Sequence, residues 1–298
     1  MRNDTPRRLR TALVEPYFDG SHRAWAEGLA AASSHHVEIL SLPAAFWKWR
    51  MQGGYLTLAD AYRDAVAAAG PFDLILATSM LHLAGFLGAL RREAAQTPAV
   101  LYMHENQLTY PVSPRDREDL TYPFINWTSM AVADEVWFNS AIHYEQWFAR
   151  VPALLRRFPD TRHDHLLAGV QNRSRVVPLG VDLTRLDAEP IRRDAPPLIL
   201  WNQRWDHDKG PDELAAAMAA LDDAGASFRL AICGETFATL PPPFEGLKAR
   251  LGPRLVHYGF APEPDYRRLL RSADVVLSTS RQEFFGIAIT EAVYAGAF

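Results

Sequence analysis

A single cysteine, Cys233, occurs in 298 residues, so no internal disulfide can form and no cysteine cluster is available to hold zinc or an iron–sulfur group. A reducing cytoplasm is the location to expect. Long apolar runs are also missing. No stretch approaches the roughly 18 residues a spanning helix needs, and the opening MRNDTPRRLR is charged with no apolar segment behind it, so neither a membrane helix nor a secretory leader is expected. Lysine is scarce: Lys48, Lys209 and Lys248 stand against twenty-eight arginines, which makes each lysine's position worth inspecting. A net charge of -4 excludes a chain that coats nucleic acid by bulk attraction, although local basic patches stay open.

What is present is an ordinary globular composition, 48% hydrophobic and 22% charged, in a chain long enough for two domains. Short apolar, often β-branched runs alternate with turns and helical spacing, and predict strands near Thr11–Glu15, Val37–Leu42, Phe72–Ala77, Ala99–Met103, Glu135–Asn139 and Arg175–Val181. After them come Leu198–Asn202, Phe228–Cys233, Leu255–Tyr258 and Asp274–Ser278, with helices such as Pro211–Ala224 and Phe284–Ala295 between. Strand–loop–helix alternation implies parallel sheets covered on both faces, because a parallel crossover needs a dozen or more residues. The stretch Asp182–Pro197, rich in Asp, Arg and Pro, reads as a linker. The expected domains are therefore 1–183 and 184–298, both Rossmann-like, facing across a cleft. Only four clear strands follow the linker, so the second domain is expected to be incomplete at its C-terminal end.

In open α/β sheets ligands gather at the carboxyl ends of strands, which directs attention to the strand-to-helix loops. Asn202–Gly210 (NQRWDHDKG) places Arg204 and Lys209 five residues apart after a strand, a guanidinium and an ammonium suited to a diphosphate. A solvated surface loop is the alternative. Glu283–Glu291 (EFFGIAITE) sets two carboxylates eight residues apart where a strand is expected to give way to a helix. Glu283 would lie at the helix mouth, and Gly286 would let a ligand approach the first-turn N–H groups. Two glutamates at this spacing also occur on plain amphipathic helices.

At this point the sequence resembles the family-4 retaining glycosyltransferases of GT-B architecture, through Arg204 and Lys209, the E-x7-E pair Glu283 and Glu291, and the element Gly180-Val181-Asp182. A closer resemblance is to the tRNA-queuosine α-mannosyltransferase family, carried by VEPYFDGSH (14 to 22), LPAAFWKWRM (42 to 51), YMHENQLTYP (102 to 111), FNSAIHYEQW (138 to 147), RWDHDKGP (204 to 211), CGETF (233 to 237) and EFFGIAITEAVYAG (283 to 296). The resemblance implies transfer of mannose from GDP-mannose, with retention, to the cyclopentenediol of queuosine in a tRNA anticodon. It implies an N-terminal acceptor domain, a C-terminal donor domain, no metal requirement and no cofactor beyond the donor.

It also assigns residues. His104, Arg204, Lys209 and Glu283 would be catalytic; Gly20, Gly234, Glu235, Phe285, Gly286 and Glu291 would join Arg204, Lys209 and Glu283 in donor binding. Ser21, His22, Trp47, Trp49, Arg50, Glu105 and Asn106 would face the acceptor. On chemistry alone, Gly20-Ser21-His22 offers a turn, a hydroxyl and an imidazole, and Phe46–Arg50 interleaves rings with cations that could stack an extruded base and hold its phosphate. Packing of those aromatics in a core or lid is the alternative, as a hydrogen-bonded structural role is for a lone loop histidine. Arginines at 2, 7, 8 and 10, and at 150, 156, 157, 162, 173 and 175, could grip a tRNA backbone or form a solvated face.

Asp206-His207-Asp208 spells a D-x-D, a pattern suited to Mg2+ or Mn2+, but Arg204 and Lys209 in the same loop already supply that charge. His163, His165, His35 and His36 read as surface residues. A nicotinamide dehydrogenase is disfavoured, since Asp19-Gly20-Ser21-His22 after the first strand lacks G-x-G-x-x-G. A related glycosyltransferase with a lipid, glycan or small-molecule acceptor, and a non-catalytic sugar-nucleotide or tRNA binder, are the competing functions.

Overall fold

Ala99–Met103 buries all five of its side chains, as a strand does when helices cover both faces of its sheet. In the computed structural model, which describes residues 7–112, 117–189, 191, 195–234 and 242–298, it is the fourth strand of a parallel sheet. The chain forms two units, one built from residues up to Tyr110 together with Arg117–Val181, the other chiefly from Asp182–Phe298.

The first unit runs β1 (Arg10–Phe18), α1 (Gly20–Ala32), β2 (His36–Pro43), α2 (Trp47–Ala69), β3 (Leu74–Thr78), α3 (Leu83–Ala89), β4 (Ala99–Met103), α4 (Thr121–Val132), β5 (Glu135–Phe138), α5 (Ala141–Leu155), α6 (Asp164–Asn172) and β6 (Ser174–Val176). Its six strands are ordered β2-β1-β3-β4-β5-β6, all parallel. The expected strand Arg175–Val181 is shorter: Val177 still donates to the Phe138 carbonyl, but Pro178 has no N–H to continue the ladder. Two helices start on side-chain caps that the sequence supplies. The Asp19 carboxylate accepts from Gly20 N at 2.8 Å, and Ser140 Oγ accepts from His143 N at 3.2 Å, each cap stabilising its helix by about 1 kcal/mol.

The second unit runs β7 (Leu198–Asn202), α7 (Pro211–Asp223), β8 (Arg229–Cys233), α8 (Pro242–Leu251), β9 (Leu255–Gly259), α9 (Glu263–Ser272), β10 (Val275–Val276) and α10 (Ile287–Tyr294), with the order β10-β7-β8-β9. Alternate residues of β7 feed opposite faces: Leu198 and Leu200 pack with Leu270 and Ala292, Ile199 and Trp201 with Leu214 and Phe244. Here α10 begins three residues later than Phe284. Gly286 sits in the left-handed region at φ 86°, so the chain turns there before the helix can start.

Strand order locates the sites. β1 has its successor β2 on one side and β3 on the other, and β7 lies between β8 and β10; at such reversals the loops diverge and leave room for a ligand at the strand ends. The loops leaving β1 and β7 carry Gly20-Ser21-His22 and Arg204 to Lys209.

Candidate active site

In the first unit the ends of β1 and β4 bring three polar side chains together. Glu15, near the end of β1, is fully buried; its Oε1 accepts from Tyr17 N at 2.9 Å and its Oε2 lies 2.8 Å from His22 Nδ1. His104 follows β4. Its ring lies 4.7 Å from that of His22, edge-on to Trp25 at 4.4 Å, and 4.8 Å from Tyr102. Trp25 in turn stacks on Tyr102, whose hydroxyl donates to the Val177 carbonyl at 2.9 Å. The His104 carbonyl accepts from Asn139 Nδ2 at 2.8 Å, and Asn139 Oδ1 faces His143 Nδ1 at 2.8 Å, so a buried amide and imidazole fix the backbone that presents His104.

Burial pushes the His104 imidazole well below its ordinary range, and the nearby His22 and His143 rings add to the effect. His143 is pushed down to about 3 by burial alone. Both rings are therefore neutral near pH 7. An unfolded chain would protonate them below about pH 6.5 while the native state would not, so stability falls as pH drops from there toward 3. The expected loss is up to about 1.4 kcal/mol per pH unit for each such histidine. Denaturant midpoints recorded from pH 7 to 5 check this; a flat profile over that window contradicts neutral burial.

In the second unit the loop after β7 is fastened to the segment after β10. Thr279 Oγ1 accepts from Trp201 Nε1 at 2.9 Å and donates to the Lys209 carbonyl at 2.7 Å, while Arg281 N donates to the Asp208 carbonyl at 2.8 Å. A Cβ on Gly210, itself at φ 66°, would meet the Thr279 carbonyl oxygen at 2.3 Å, so only glycine permits this approach. The result brings Lys209 Nζ to 2.7 Å from Glu283 Oε1 and 3.4 Å from Asp208 Oδ2, with its side chain only 12% exposed. Ser280 Oγ donates to the same Glu283 oxygen at 2.8 Å. Arg204 is more exposed and lies 3.6 Å from Asp206.

Glu291 forms a separate cluster on α10. It is salt-bridged to Arg185, which also pairs with Glu263 at 2.6 Å, and its Oε2 accepts from the Tyr266 hydroxyl at 2.7 Å. Asn202 Nδ2 reaches the Tyr266 oxygen at 3.1 Å and the Ala288 carbonyl at 2.8 Å, tying β7 to α9 and α10. Burial and the Glu291 carboxylate both raise the Tyr266 phenol, which stays protonated and donating.

Residues 10–181 match the family described as tRNA-queuosine alpha-mannosyltransferase N-terminal, and 184–298 match glycosyl transferases group 1. A curated tRNA-queuosine alpha-mannosyltransferase of Drosophila melanogaster is 32% identical over 96% of this chain and 77% of its own length. The chain belongs to the tRNA-queuosine alpha-mannosyltransferase family. Among solved structures, sucrose-phosphate synthase from Thermosynechococcus elongatus superposes with a TM-score of 0.70 at 21% identity, covering 97% of this chain and 80% of that one. The catalytic domain of starch synthase IV from Arabidopsis thaliana, bound to ADP and acarbose, gives 0.68 at 11% identity over 98% and 82%. The fold is thus GT-B, two Rossmann-like parallel-sheet units, and the chain is a glycosyltransferase of hexose.

Within this tRNA-queuosine alpha-mannosyltransferase family member, several expected residues sit differently from the sequence reading. Glu283 is not at a helix mouth but four residues ahead of Ile287, in the loop that meets Lys209. Glu291 belongs to another contact set from Glu283. The buried Asn106 turns its Oδ1 to Leu108 N and Thr109 N, at 3.0 and 2.8 Å, and so shapes its own loop instead of facing outward. Glu105 accepts from Gln107 Nε2 at 2.8 Å.

Trp47 is half-buried and packs on Tyr122 at 4.9 Å, whereas Trp49 and Phe46 are 64% and 81% exposed, so these two rings offer the more open faces for stacking. Arg50 donates to the Pro43 carbonyl at 3.2 Å. Gly20 opens α1, with Ser21 exposed beside it. Phe285 and Gly286 lie half-buried before α10, and Gly234 directly follows β8. Glu235 lies outside the described residues. Asp206 and Asp208 each face a cation of their own loop. Glu15, Trp25, Arg185 and Tyr266 were not anticipated. The acid in the apolar run LVEP was the one sequence signal for Glu15.

Proposed function

We propose that the chain transfers mannose from GDP-mannose to queuosine in tRNA with retention at the anomeric carbon, and that it does so in the cytoplasm. Among the described residues no helix is long and apolar enough to cross a membrane. The observation that carries the reading is the Lys209 ammonium, held at the β7 end with one N–H on Glu283. An ammonium has three donors; Glu283 takes one and Asp208 lies 3.4 Å away, so one donor remains for a diphosphate oxygen, and Arg204 in the same loop adds a fork.

Cationic donors placed before reaction oppose the charge that grows on the departing diphosphate without reorganising, which is where such stabilisation is largest. Glu283 then serves hexose hydroxyls. Glu291, oriented by Arg185 and Tyr266, retains lone pairs for ribose hydroxyls. In the first unit, neutral His104 offers a hydrogen bond to a sugar hydroxyl, and His22 with Ser21 serves the acceptor diol. The bond from the anomeric carbon to the phosphate oxygen breaks as the bond to the acceptor oxygen forms, and the acceptor's proton passes to that phosphate oxygen.

No metal takes part in this scheme, because Lys209 and Arg204 carry the charge that a divalent ion would bring. Two arms test it. GDP-mannose should raise the melting temperature more than UDP-sugars do, and labelled mannose should reach tRNA undiminished in excess EDTA. Activity lost in EDTA and restored by Mn2+ would instead put a metal ion, held by the Asp206 and Asp208 carboxylates, on the diphosphate.

A further inference from the structure

Glu15, His22 and His104 together carry a second chemistry, alternative to the substrate contacts given above. One ligand atom from each of the three, a carboxylate oxygen and two imidazole nitrogens, lies within 4.8 Å of the others. Glu15 Oε2 and His22 Nδ1 are 2.8 Å apart, a hydrogen-bonded pair that an ion would replace by entering between them. A second, independent feature belongs to one of the three residues: His104 Nε2 is sealed from solvent and has no hydrogen-bond partner among the described residues. A buried imidazole nitrogen left this way is destabilising unless a ligand engages it.

We propose that Glu15, His22 and His104 form a binding site for a divalent transition-metal ion of the zinc class. Two nitrogens and one carboxylate oxygen match Zn2+, Co2+ or Ni2+ and not Mg2+ or Ca2+, which take oxygen sets. Tetrahedral ligands at 2.0–2.2 Å stand about 3.3 Å apart, so gathering the widest pair asks for at most about 1.5 Å of closure. His22 can supply that movement: it lies at the start of α1 directly after Gly20 and Ser21, and its side chain keeps 14% exposure, which also gives the ion an entry path.

The other two ligands are braced. Tyr17 N holds the second oxygen of Glu15, and Asn139 holds the His104 backbone, as ligands in metal sites are held by outer partners. A metal here would occupy the imidazoles given above to substrate, so added Zn2+ inhibits transfer. That consequence alone rests on the proposed function. The binding does not.

The test is therefore made without donor or tRNA. Chelator-stripped protein titrated with Zn2+ in a calorimeter should take up one ion per chain, and Co2+ bound in its place should show the visible absorption of a low-coordinate nitrogen–oxygen site. His22→Ala and Glu15→Gln should each weaken binding by about 100-fold or more, since even outer partners of a metal site cost 10–100-fold when lost. Excess Mg2+ should not compete. Absence of a stoichiometric Zn2+ site overturns the proposal, as does binding that persists unchanged in His22→Ala, which would place the ion on other histidines. Should Glu15→Gln fail to fold, His22→Ala at the edge of the cluster carries the comparison.

Discussion

Lys209→Ala is expected to lower kcat by about 10²–10³-fold, the usual cost of removing one preorganised donor from a site where charge develops. Because that ammonium meets a charge larger in the transition state than in the bound donor, kcat/KM should fall in parallel with kcat and KM should change little. Folding should survive. The variant leaves Asp208 and Glu283 without one partner, and Asp208 is buried, so a loss of about 1–2 kcal/mol is expected on the scale of a partly buried ion pair. Circular dichroism and a thermal melt separate this modest cost from the catalytic loss. Glu213→Ala is the control, since it removes a half-exposed partner of Arg281 on the same loop system and should leave turnover near normal. A folded Lys209→Ala protein with near-normal kcat contradicts the role given to the cation.

Gly234→Ala is expected to be the most damaging single methyl. At the end of β8 the backbone presses on the loop leaving β7, and a Cβ at Gly234 would lie 1.8 Å from the Gln203 carbonyl oxygen and 3.0 Å from Trp205 Cδ1. Neither neighbour is a flexible side-chain end. Trp205 is buried and lies 5.0 Å from Phe244, and Gln203 belongs to the loop that leads to Lys209. Overpacking of this kind costs about 2–3 kcal/mol, and at the size of such units the melting temperature should drop by about 5–10 °C. The displaced Gln203 carbonyl would also move the diphosphate loop, so donor affinity should weaken together with stability. An unchanged melt and unchanged donor binding would show that the two loops are not in contact. A Gly246→Ala variant, whose Cβ meets nothing within 4 Å, is the neutral comparison.

Much of this was legible in the chain itself because it depends on near neighbours. The strands Ala99–Met103 and Leu198–Asn202 are found where the apolar runs place them, since their flanking turns are strong and all five side chains of each are buried. Arg204 and Lys209 could be picked out because one loop holds both. What stayed hidden depends on contacts distant in sequence. Arg185, inside a stretch that reads as linker, meets Glu291 106 residues later, and Tyr266 meets it from another helix. Glu15 looks like an interruption in an apolar strand until its burial against His22 is known. Asn106 is polar and beside a histidine, which suggests an outward role, yet its Asx turn consumes the amide. The start of α10 was misplaced because Phe284 and Phe285 extend the helical pattern, whereas the left-handed Gly286 sets the boundary.

The central claim is that this family member glycosylates queuosine. Its most direct test is to incubate the chain with GDP-mannose and purified queuosine-containing tRNA, digest the tRNA, and weigh the nucleosides. The account predicts that the queuosine peak declines and a nucleoside heavier by one hexose replaces it, while tRNA carrying guanosine at that position is untouched. Queuosine recovered unmodified, under conditions where the protein demonstrably binds GDP-mannose, would contradict it.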